Sequence, residues 1–565
     1  MEFTSIKVDS DKVKISAKEL YSSKIPPFVA SLSLITGYHL GETDQYLTSI
    51  FNSEDVNHLE NGNAIAIFCP TGAGKTIASE QAAISATTDR MVIFLTNRIS
   101  CKSQLIQDFG KLYDICNIPE NLINNIQFSS NLKIMTYQQF ALQRYHYQHK
   151  EIVLFLDECH CLSEDSTFSV YPQQIVSYLH NNLNNTIRIY MTATPDAVLP
   201  LLWEIEARTE EDKKLYPLIP DNLEKFIKNM PTKESTRIQH TYLMKSNWNY
   251  ITFRIYHPEN KEQLLAFIKN VSLDDKKSLI YINNIQEGKA LQEQLGESQH
   301  IYSNEDKKSE IYQIATDERF SSDYLITTKV AENGLSLHDE SLAIIVAETY
   351  HLITLQQIIG RARVSRKNPH EIIVLIPDYN LSQLGSIYGT LCTQIRRFHE
   401  AHKEPHFAMA KYQEPYVYYD PILQTPLVNE IGRQELQRQI DFIQSLRKEE
   451  EEHPHAFVRH VLETYGKSTD NIDELFIDYD SKKECIDRIH TAWENFKASQ
   501  RTDADLSILK EALKSACNET GAYGKELKSN IQIDTINKVL AFAGFKDRLQ
   551  SGRTVFGINS ADENN

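Results

Sequence analysis

The chain has 565 residues, too many for one hydrophobic core, and at about 100–200 residues per domain it implies two to four domains. With 41% hydrophobic and 24% charged residues it has the composition of an ordinary globular protein, which excludes whole-chain disorder, collagen-like repeats and low-complexity scaffolds. Lys and Arg number 59 against 76 Asp and Glu, a formal charge of −17. That balance argues against a basic protein that coats nucleic acid, because phosphate binding is driven largely by cations displacing counterions, but it leaves room for an enzyme with a local cationic track.

The first twenty residues, MEFTSIKVDSDKVKISAKEL, are polar and lack the apolar stretch of a secretory leader. No apolar run approaches the ~18–20 residues of a membrane span. Eight cysteines are scattered without a pair of CxxC hooks, a pattern of free thiols in a reducing compartment. These features lead us to expect a soluble, cytoplasmic protein that does not contact membrane.

In chain order, residues 1–50 form an N-terminal accessory segment. Four apolar runs follow: AIAIFC (64–69), MVIFL (91–95), IVLFL (152–156) and IRIYM (187–191). Runs of this length without polar alternation predict strands buried on both faces, as in a parallel sheet covered by helices. The first run leads into Pro70-Thr71-Gly72-Ala73-Gly74-Lys75-Thr76 and then a stretch of good helix formers. In such a loop, glycines turn backbone N–H groups inward around a polyphosphate and the helix N-terminus adds positive potential. Lys75 meets the β- and γ-phosphates, and Thr76 can ligate Mg²⁺. Cys69, where Gly or Ala is usual, ends the strand as a small residue.

The third run ends in Asp157-Glu158-Cys159-His160-Cys161. A carboxylate at the C-terminal end of a buried parallel strand can hold a nucleotide's Mg²⁺, and its neighbour can polarise an attacking water. Asp157 takes the metal side and Glu158 the part of general base. Cys159, His160 and Cys161, three consecutive positions, cannot converge on one zinc ion from a regular strand or helix.

Residues 206–260 become charged and Pro-punctuated, the text of a connector. A second series of apolar runs then appears: SLIYI (278–282), DYLITT (323–328), LAIIVAE (342–348) and EIIVLI (371–376). Two series imply two α/β domains, placed at 51–205 and 261–395. From 396 to 565 the pattern turns to helical periodicity with charged faces. Between 521 and 557 six Lys and Arg stand against three Asp and Glu. That basic, β-prone close, with a helix before it, vaguely resembles a winged-helix module, placed near 505–558. Arg396-Arg397-Phe398-His399 reads either as a strand-stacking group or as a helix that buries Phe398 and exposes the arginines. No nuclease motif is present.

With PTGAGKT and DECH both in place, the chain resembles the superfamily 2 helicases and translocases of the DExH type. The resemblance implies two tandem RecA-like parallel-sheet domains followed by a mostly α-helical C-terminal region. Further segments fit the family's order across about 64–366. Thr96 and Arg98 in FLTNRIS and Thr136 in IMTYQQF resemble backbone-gripping motifs of the first domain. Thr192 and Thr194 in MTATP resemble the coupling motif. SLIYINN, TTKVAENGLSL with Thr328 and Gly334, and LQQIIGRARVSR resemble motifs of the second domain. In the last of these, Gln357 would contact the γ-phosphate region or water, and Arg361 or Arg363 would stabilise transition-state charge across the cleft. The sequence departs from the common pattern at Val364, where a second arginine is usual, and at Ser336, where Asp is usual. Gln45 is a candidate adenine reader. The family implies ATP and Mg²⁺ as cofactors and nucleic acid as partner, DNA favoured over RNA. Its activity would be an ATP-dependent helicase or translocase, or alternatively a nucleic-acid-stimulated ATPase switch without processive unwinding.

Overall fold

A computed structural model of the chain describes residues 37–41, 46–51, 53–87, 90–115, 128–214, 235–244, 248–272, 276–296, 298–301, 314, 317–328, 336–364, 369–412, 415–421, 423–520, 523, 526–528, 531–550 and 557–559. Gln45 and Gly334 lie outside the described residues.

The apolar runs of the first half become strands. β1 (Gly37–Gly41), β2 (Ala64–Phe68), β3 (Met91–Thr96), β4 (Leu132–Thr136), β5 (Ile152–Leu156), β6 (Thr186–Thr192) and β7 (Ile238–Met244) pair in parallel in the order β1-β7-β2-β6-β5-β3-β4. β2, β5 and β6 are buried along their whole length. Successive side chains point to opposite faces of a strand, so both faces must be covered. Ala64, Ala66 and Phe68 join one core with Tyr190 and Trp203, while Ile65 and Ile67 join another with Phe94 and Phe109. Helices supply the cover, among them α1 (Lys75–Ala86), α2 (Ile99–Leu112), α3 (Tyr137–Gln143), α4 (Tyr171–Asn182) and α5 (Pro195–Glu206).

The second sheet comprises β8 (Ile251–Tyr256), β9 (Lys277–Tyr281), β10 (Gln299–Ile301), β11 (Tyr324–Thr327), β12 (Leu342–Ala347) and β13 (Ile372–Pro377), in the order β10-β11-β9-β12-β13-β8. Two tandem RecA-like parallel-sheet domains are therefore present. β7 and β8 fall inside the stretch that composition reads as a connector. ITFRIY alternates polar with apolar residues and IQHTYLM carries three polar residues in succession, so neither shows an unbroken apolar run. β7 is nonetheless interior to its sheet, with Tyr242 fully buried against Phe51.

Beyond β13 the chain is mostly helical: α6 (Leu352–Ile359) precedes that strand, and α7 (Leu381–Lys403), α8 (Glu430–Glu452), α9 (Ala456–Thr464), α10 (Tyr479–Ala498), α11 (Asp503–Thr520) and α12 (Ile533–Phe542) follow it. Two small antiparallel hairpins interrupt them, β14 (Val417–Asp420) with β15 (Thr425–Val428) and β16 (Arg548–Gln550) with β17 (Gly557–Asn559). Phe398 is buried in α7 while Arg396 and Arg397 are exposed, the ordinary helix-packing arrangement. The chain divides into two compact units, 1–253 with 271–468, and 254–270 with 469–565. In the smaller, α10, α11 and α12 bury Ile489, Trp493, Leu513 and Val539. There the Asn537 side chain bonds both N and O of Leu549, fixing the hairpin to α12.

One buried ion pair fixes α5 to the first sheet. Arg188 on β6 and Glu206 at the end of α5 are each fully buried and 2.6 Å apart, and Tyr190 adds a 2.6 Å hydrogen bond to the same carboxylate. Carbonyls of Gly62, Leu183 and Thr186 take the remaining guanidinium donors. Removing one partner leaves an uncompensated buried charge, which costs about 3–5 kcal/mol, whereas replacing the pair with apolar groups can be near neutral. Glu206→Ala is therefore expected to destabilise the first domain by about that amount, read as a lower urea midpoint, and Arg188→Met with Glu206→Leu together to recover most of the loss.

Candidate active site

The sheet order turns motifs that are far apart in sequence into one contiguous edge. β2, β6, β5, β3 and β4 are consecutive neighbours, so at their C-terminal ends the glycine loop, MTATP, DECH, Thr96 and Thr136 stand in a row. Ligands of open α/β sheets bind along that edge. The row is tied across strands: Cys69 N donates to Thr192 O at 3.1 Å, Cys159 N to Met191 O at 2.9 Å and Asp157 N to Leu95 O at 3.0 Å.

Gly72 and Gly74 have φ of +78° and +79°, the left-handed region that glycine enters without a Cβ penalty. These turns let the loop curl before α1 begins at Lys75. Lys75 is buried, and its Nζ donates to the carbonyls of Cys69 (2.8 Å) and Pro70 (3.4 Å). The ammonium thus lies inside the loop it would share with a polyphosphate. Pro70, Thr71 and Thr76 are half-buried, Ala73 is buried and Gly72 is exposed.

Glu158 sits at φ +50°, a conformation that costs a non-glycine residue about 1–3 kcal/mol and persists only where its surroundings impose it. Here the flanking bonds of Asp157 N and Cys159 N to neighbouring strands do so. Burial pushes the Asp157 carboxyl up to about 7, with the Glu158 charge adding and Lys75 opposing. Burial also works against Glu158's charge, but Lys75, His160 and Arg361 outweigh it and hold that carboxyl well below the usual carboxylate range. Burial thus weighs on both acids, and the nearby cations favour the charge of Glu158 over that of Asp157. Mg²⁺ characteristically takes one or two carboxylates together with substrate phosphates, and Asp157 with Thr76 offers that donor set. Among the described residues no group of three or more His, Cys, Asp or Glu gathers as a metal site.

From Glu158 a chain of side chains leaves the first domain. Glu158 Oε2 is 3.4 Å from His160 Nδ1, which is 3.1 Å from Thr192 Oγ1; that hydroxyl is 3.3 Å from Thr194 Oγ1. Gln357 Nε2 donates to Thr194 Oγ1 at 3.0 Å, and Arg361 donates to Gln357 Oε1 at 2.9 Å. His160, Thr192, Thr194, Gln357 and Arg361 are all buried. Gln356 reinforces the crossing through Ala193 O at 3.4 Å.

The two arginines differ. Arg361 is occupied by Gln357. Arg363 is held from behind by Ser336, whose Oγ accepts from its Nε (3.2 Å) and a terminal nitrogen (3.1 Å). Its other terminal nitrogen would lie 3.4 Å from a Cβ placed on Gly72, so the guanidinium tip faces the glycine loop. Burial, with Arg361 next in effect, lowers the Arg363 pKa to about 10, which leaves it charged at neutral pH.

The expected grip residues are less open than their roles suggest. Thr96, Thr136 and Thr328 are buried. Thr136 caps α3, its hydroxyl accepting from Gln139 N at 3.2 Å while Gln139 Oε1 accepts from Thr136 N at 3.1 Å and from Lys102 at 3.2 Å. Arg98 lies 3.7 Å from Asp165, in the segment that follows DECH. Sequence reasoning missed His160 as a link in the path, Ser336 as the holder of Arg363, and Tyr46, whose ring would touch a Cβ on Gly74 at 3.5 Å. His160 lies within DECH and Ser336 marks a departure from the common motif, but neither position by itself announces its partner, and Tyr46 left no signal in the sequence.

Residues 42–197 match the family described as Type III restriction enzyme, res subunit. The matched stretch runs from the segment before the glycine loop through β2, β3, β4, β5 and β6 to MTATP, the first of the two parallel sheets. Among curated proteins it is similar to a protein named as a candidate helicase, number 22, of Sulfolobus islandicus filamentous virus. The two are 24% identical over 361 residues, 58% of this chain and 62% of that protein. It is also similar to the antiviral helicase SKI2 of Saccharomyces cerevisiae, 27% identical over 201 residues, 31% of this chain and 15% of that protein. The chain thus spans less than two thirds of the length of either relative. Solved structures similar to it include S. cerevisiae Dbp5 bound to RNA and ADP BeF3, with 16% identity, a TM-score of 0.39, and 58% of this chain and 82% of that one covered. Another is Mycobacterium smegmatis helicase Lhr bound to ssDNA and AMP-PNP, with 13% identity, a TM-score of 0.36, and 60% and 46% covered.

Gly360 presses α6 onto the glycine loop: a Cβ there would be 2.6 Å from Thr71 Oγ1 and 3.1 Å from its Cγ2. Overpacking of this kind costs about 1–3 kcal/mol. Gly360→Ala is therefore expected to lower stability by about 1–3 kcal/mol, read as a lower urea midpoint, and adding Thr71→Ala to restore part of it. A midpoint in Gly360→Ala equal to that of the parent would show that the contact is not tight.

Proposed function

We propose that the chain is an ATP-dependent nucleic-acid helicase or translocase, with hydrolysis in the cleft between its two RecA-like domains. The observation that carries this reading is the path Glu158–His160–Thr192–Thr194–Gln357–Arg361, which joins the catalytic edge of one sheet to the helix after β12 of the other. In this reading the glycine loop from Pro70 to Thr76 cradles the phosphates through its backbone N–H groups, and Lys75 swings from its own carbonyls to the β- and γ-phosphates. Asp157 and Thr76 would hold Mg²⁺, which when bound neutralises charge on the phosphate oxygens.

Glu158, kept ionised by Lys75, His160 and Arg361, accepts a proton from the attacking water. Arg363, with its tip toward Gly72, is the arginine that meets transition-state charge; Arg361 is a positioning residue that orients Gln357. Thr192 and Thr194 carry the state of the cleft between domains, so that ATP draws them together and hydrolysis loosens them. Nucleic acid would cross the row of strand ends near Thr96, Arg98 and Thr136 of the first sheet and meet Thr328 after β11 of the second, contacted through phosphates and backbone groups. Such a grip suits a chain of net charge −17. Phosphate contacts are common to DNA and RNA, and the sequence expectation of DNA enters the test as one arm.

The test measures ATP turnover against single- and double-stranded DNA and RNA, together with strand displacement. Stimulation by at least one nucleic acid and displacement of at least one duplex are expected. Stimulation without displacement would favour the switch reading, and turnover indifferent to every nucleic acid would overturn both. Lys75→Ala should weaken nucleotide binding, whereas Glu158→Gln should bind normally and stall hydrolysis. Arg363→Ala should reduce turnover at saturating ATP by at least about 100-fold, and Arg361→Ala by less. Equal losses in the two would reject the division of labour between them.

A further inference from the structure

The segment that follows DECH is gripped from outside the cleft by α8. Asn429, fully buried at the N-terminus of that helix, donates to the carbonyls of Ser166 (2.7 Å), Ser169 (3.2 Å) and Pro415 (2.8 Å), while its Oδ1 accepts from Gly432 N at 3.0 Å. Gly432 is needed for this approach, because a Cβ there would lie 2.4 Å from Ser166 O. One turn on, Ser163 donates to Glu435 at 2.8 Å, and Arg438 donates to Ser163 Oγ at 2.7 Å and pairs with Glu435 at 2.7 Å. Arg438 also reaches Ala197 O at 3.4 Å, three residues beyond Thr194. A single side chain therefore touches the continuation of DECH and the continuation of MTATP. The same short segment carries Asp165, which faces Arg98 at 3.7 Å.

The other end of this helical arm is rooted in the second domain. α7 starts at Leu381, directly after β13. Just beyond α8, His455 Nδ1 is 3.0 Å from Asp378 Oδ2, and Phe457 packs edge-on against Tyr379 with centroids 5.3 Å apart. The arm thus begins and ends on the second domain and holds the first at Ser163, Ser166 and Ala197. It is a second connection between the domains, separate from the one through Gln357.

We infer that α8 positions the catalytic edge: Arg438, supported by Glu435 and seated through Gly432 and Asn429, is a positioning residue that holds the turn carrying Glu158 and His160 and couples it to Arg98. Arg438 touches no reacting atom in this scheme. It acts through Ser163, five residues from Glu158, and through Ala197. The inference rests on the hydrolytic reading of the cleft, and it makes a statement about the segment 159–168 that can be checked without turnover.

The experiment uses the full chain with Arg438→Met, Arg438→Lys and Gly432→Ala. Amide hydrogen exchange over 159–168 should accelerate at least about tenfold in Arg438→Met and Gly432→Ala, with strands β2 and β5 protected as in the parent. ATP turnover should fall about 5- to 20-fold at saturating ATP while KM for ATP stays within about twofold, because the glycine loop is not touched. Arg438→Lys, which keeps a donor and a charge at the site, should recover part of both effects. Unchanged exchange over 159–168 in both Arg438→Met and Gly432→Ala would overturn the inference. So would a loss of protection throughout the first sheet, which would mark a merely structural role. A parent protein with no turnover at all would instead refute the hydrolytic reading, and the exchange data would still decide whether α8 holds the segment.

Discussion

Gln357 reaches across from one RecA-like domain and donates to the hydroxyl of Thr194 in the other, at 3.0 Å and out of contact with solvent. A buried amide whose partner is taken away costs free energy until it finds another, so the two domains cannot separate at this point without reorganising both side chains. Thr194 is already bound to Thr192, and Thr192 to His160 beside Glu158. The Glu158 carboxylate and the contact between the domains are thereby linked through one line of buried polar side chains. Such a line in a low-dielectric interior is more sensitive to the loss of one member than the same groups would be in water.

That line works only because parallel pairing puts β6 between β2 and β5. The strand with the threonines separates the strand with the phosphate loop from the strand with the acids, so Thr192 lies within reach of both. The helical arm repeats the principle on another scale. It leaves the second domain after β13, seats Gly432 and Arg438 on the segment beyond DECH, and returns to Asp378 and Tyr379. Among the described residues the domains therefore meet both through Gln357, whose path reaches the turn that bears Glu158, and through α8, which holds the segment that follows that turn.

The two arginines show how a departure from the common motif is absorbed. Ser336, standing where a carboxylate is usual, is too short to reach far but accepts two bonds from Arg363 and aims its tip at the glycine loop. Arg361 is drawn the other way, into the path through Gln357. A short hydroxyl and a displaced arginine thus supply one geometry between them.

Eight of the strands were legible as apolar runs because each is buried on both faces, and burial on both faces leaves no polar alternation to obscure the signal. β7 and β8 were not, since IQHTYLM and ITFRIY carry polar residues among the buried ones, and the surrounding charged, Pro-rich text reads as a connector. Within the candidate site, Lys75, Thr76, Asp157 and Glu158 were nominated from neighbours within a few residues, a glycine loop between strand and helix and acids at a strand end, and the sheet order sets the glycine loop and the acids along one edge. The sequence by itself determined those local units and their order along the chain. The roles of His160, Ser336, Asn429 and Arg438 were decided only by the tertiary structure. Each depends on a partner tens to hundreds of residues away, and hydrogen bonds of about 3 Å are set by sheet order and helix packing, which local residue pattern does not encode.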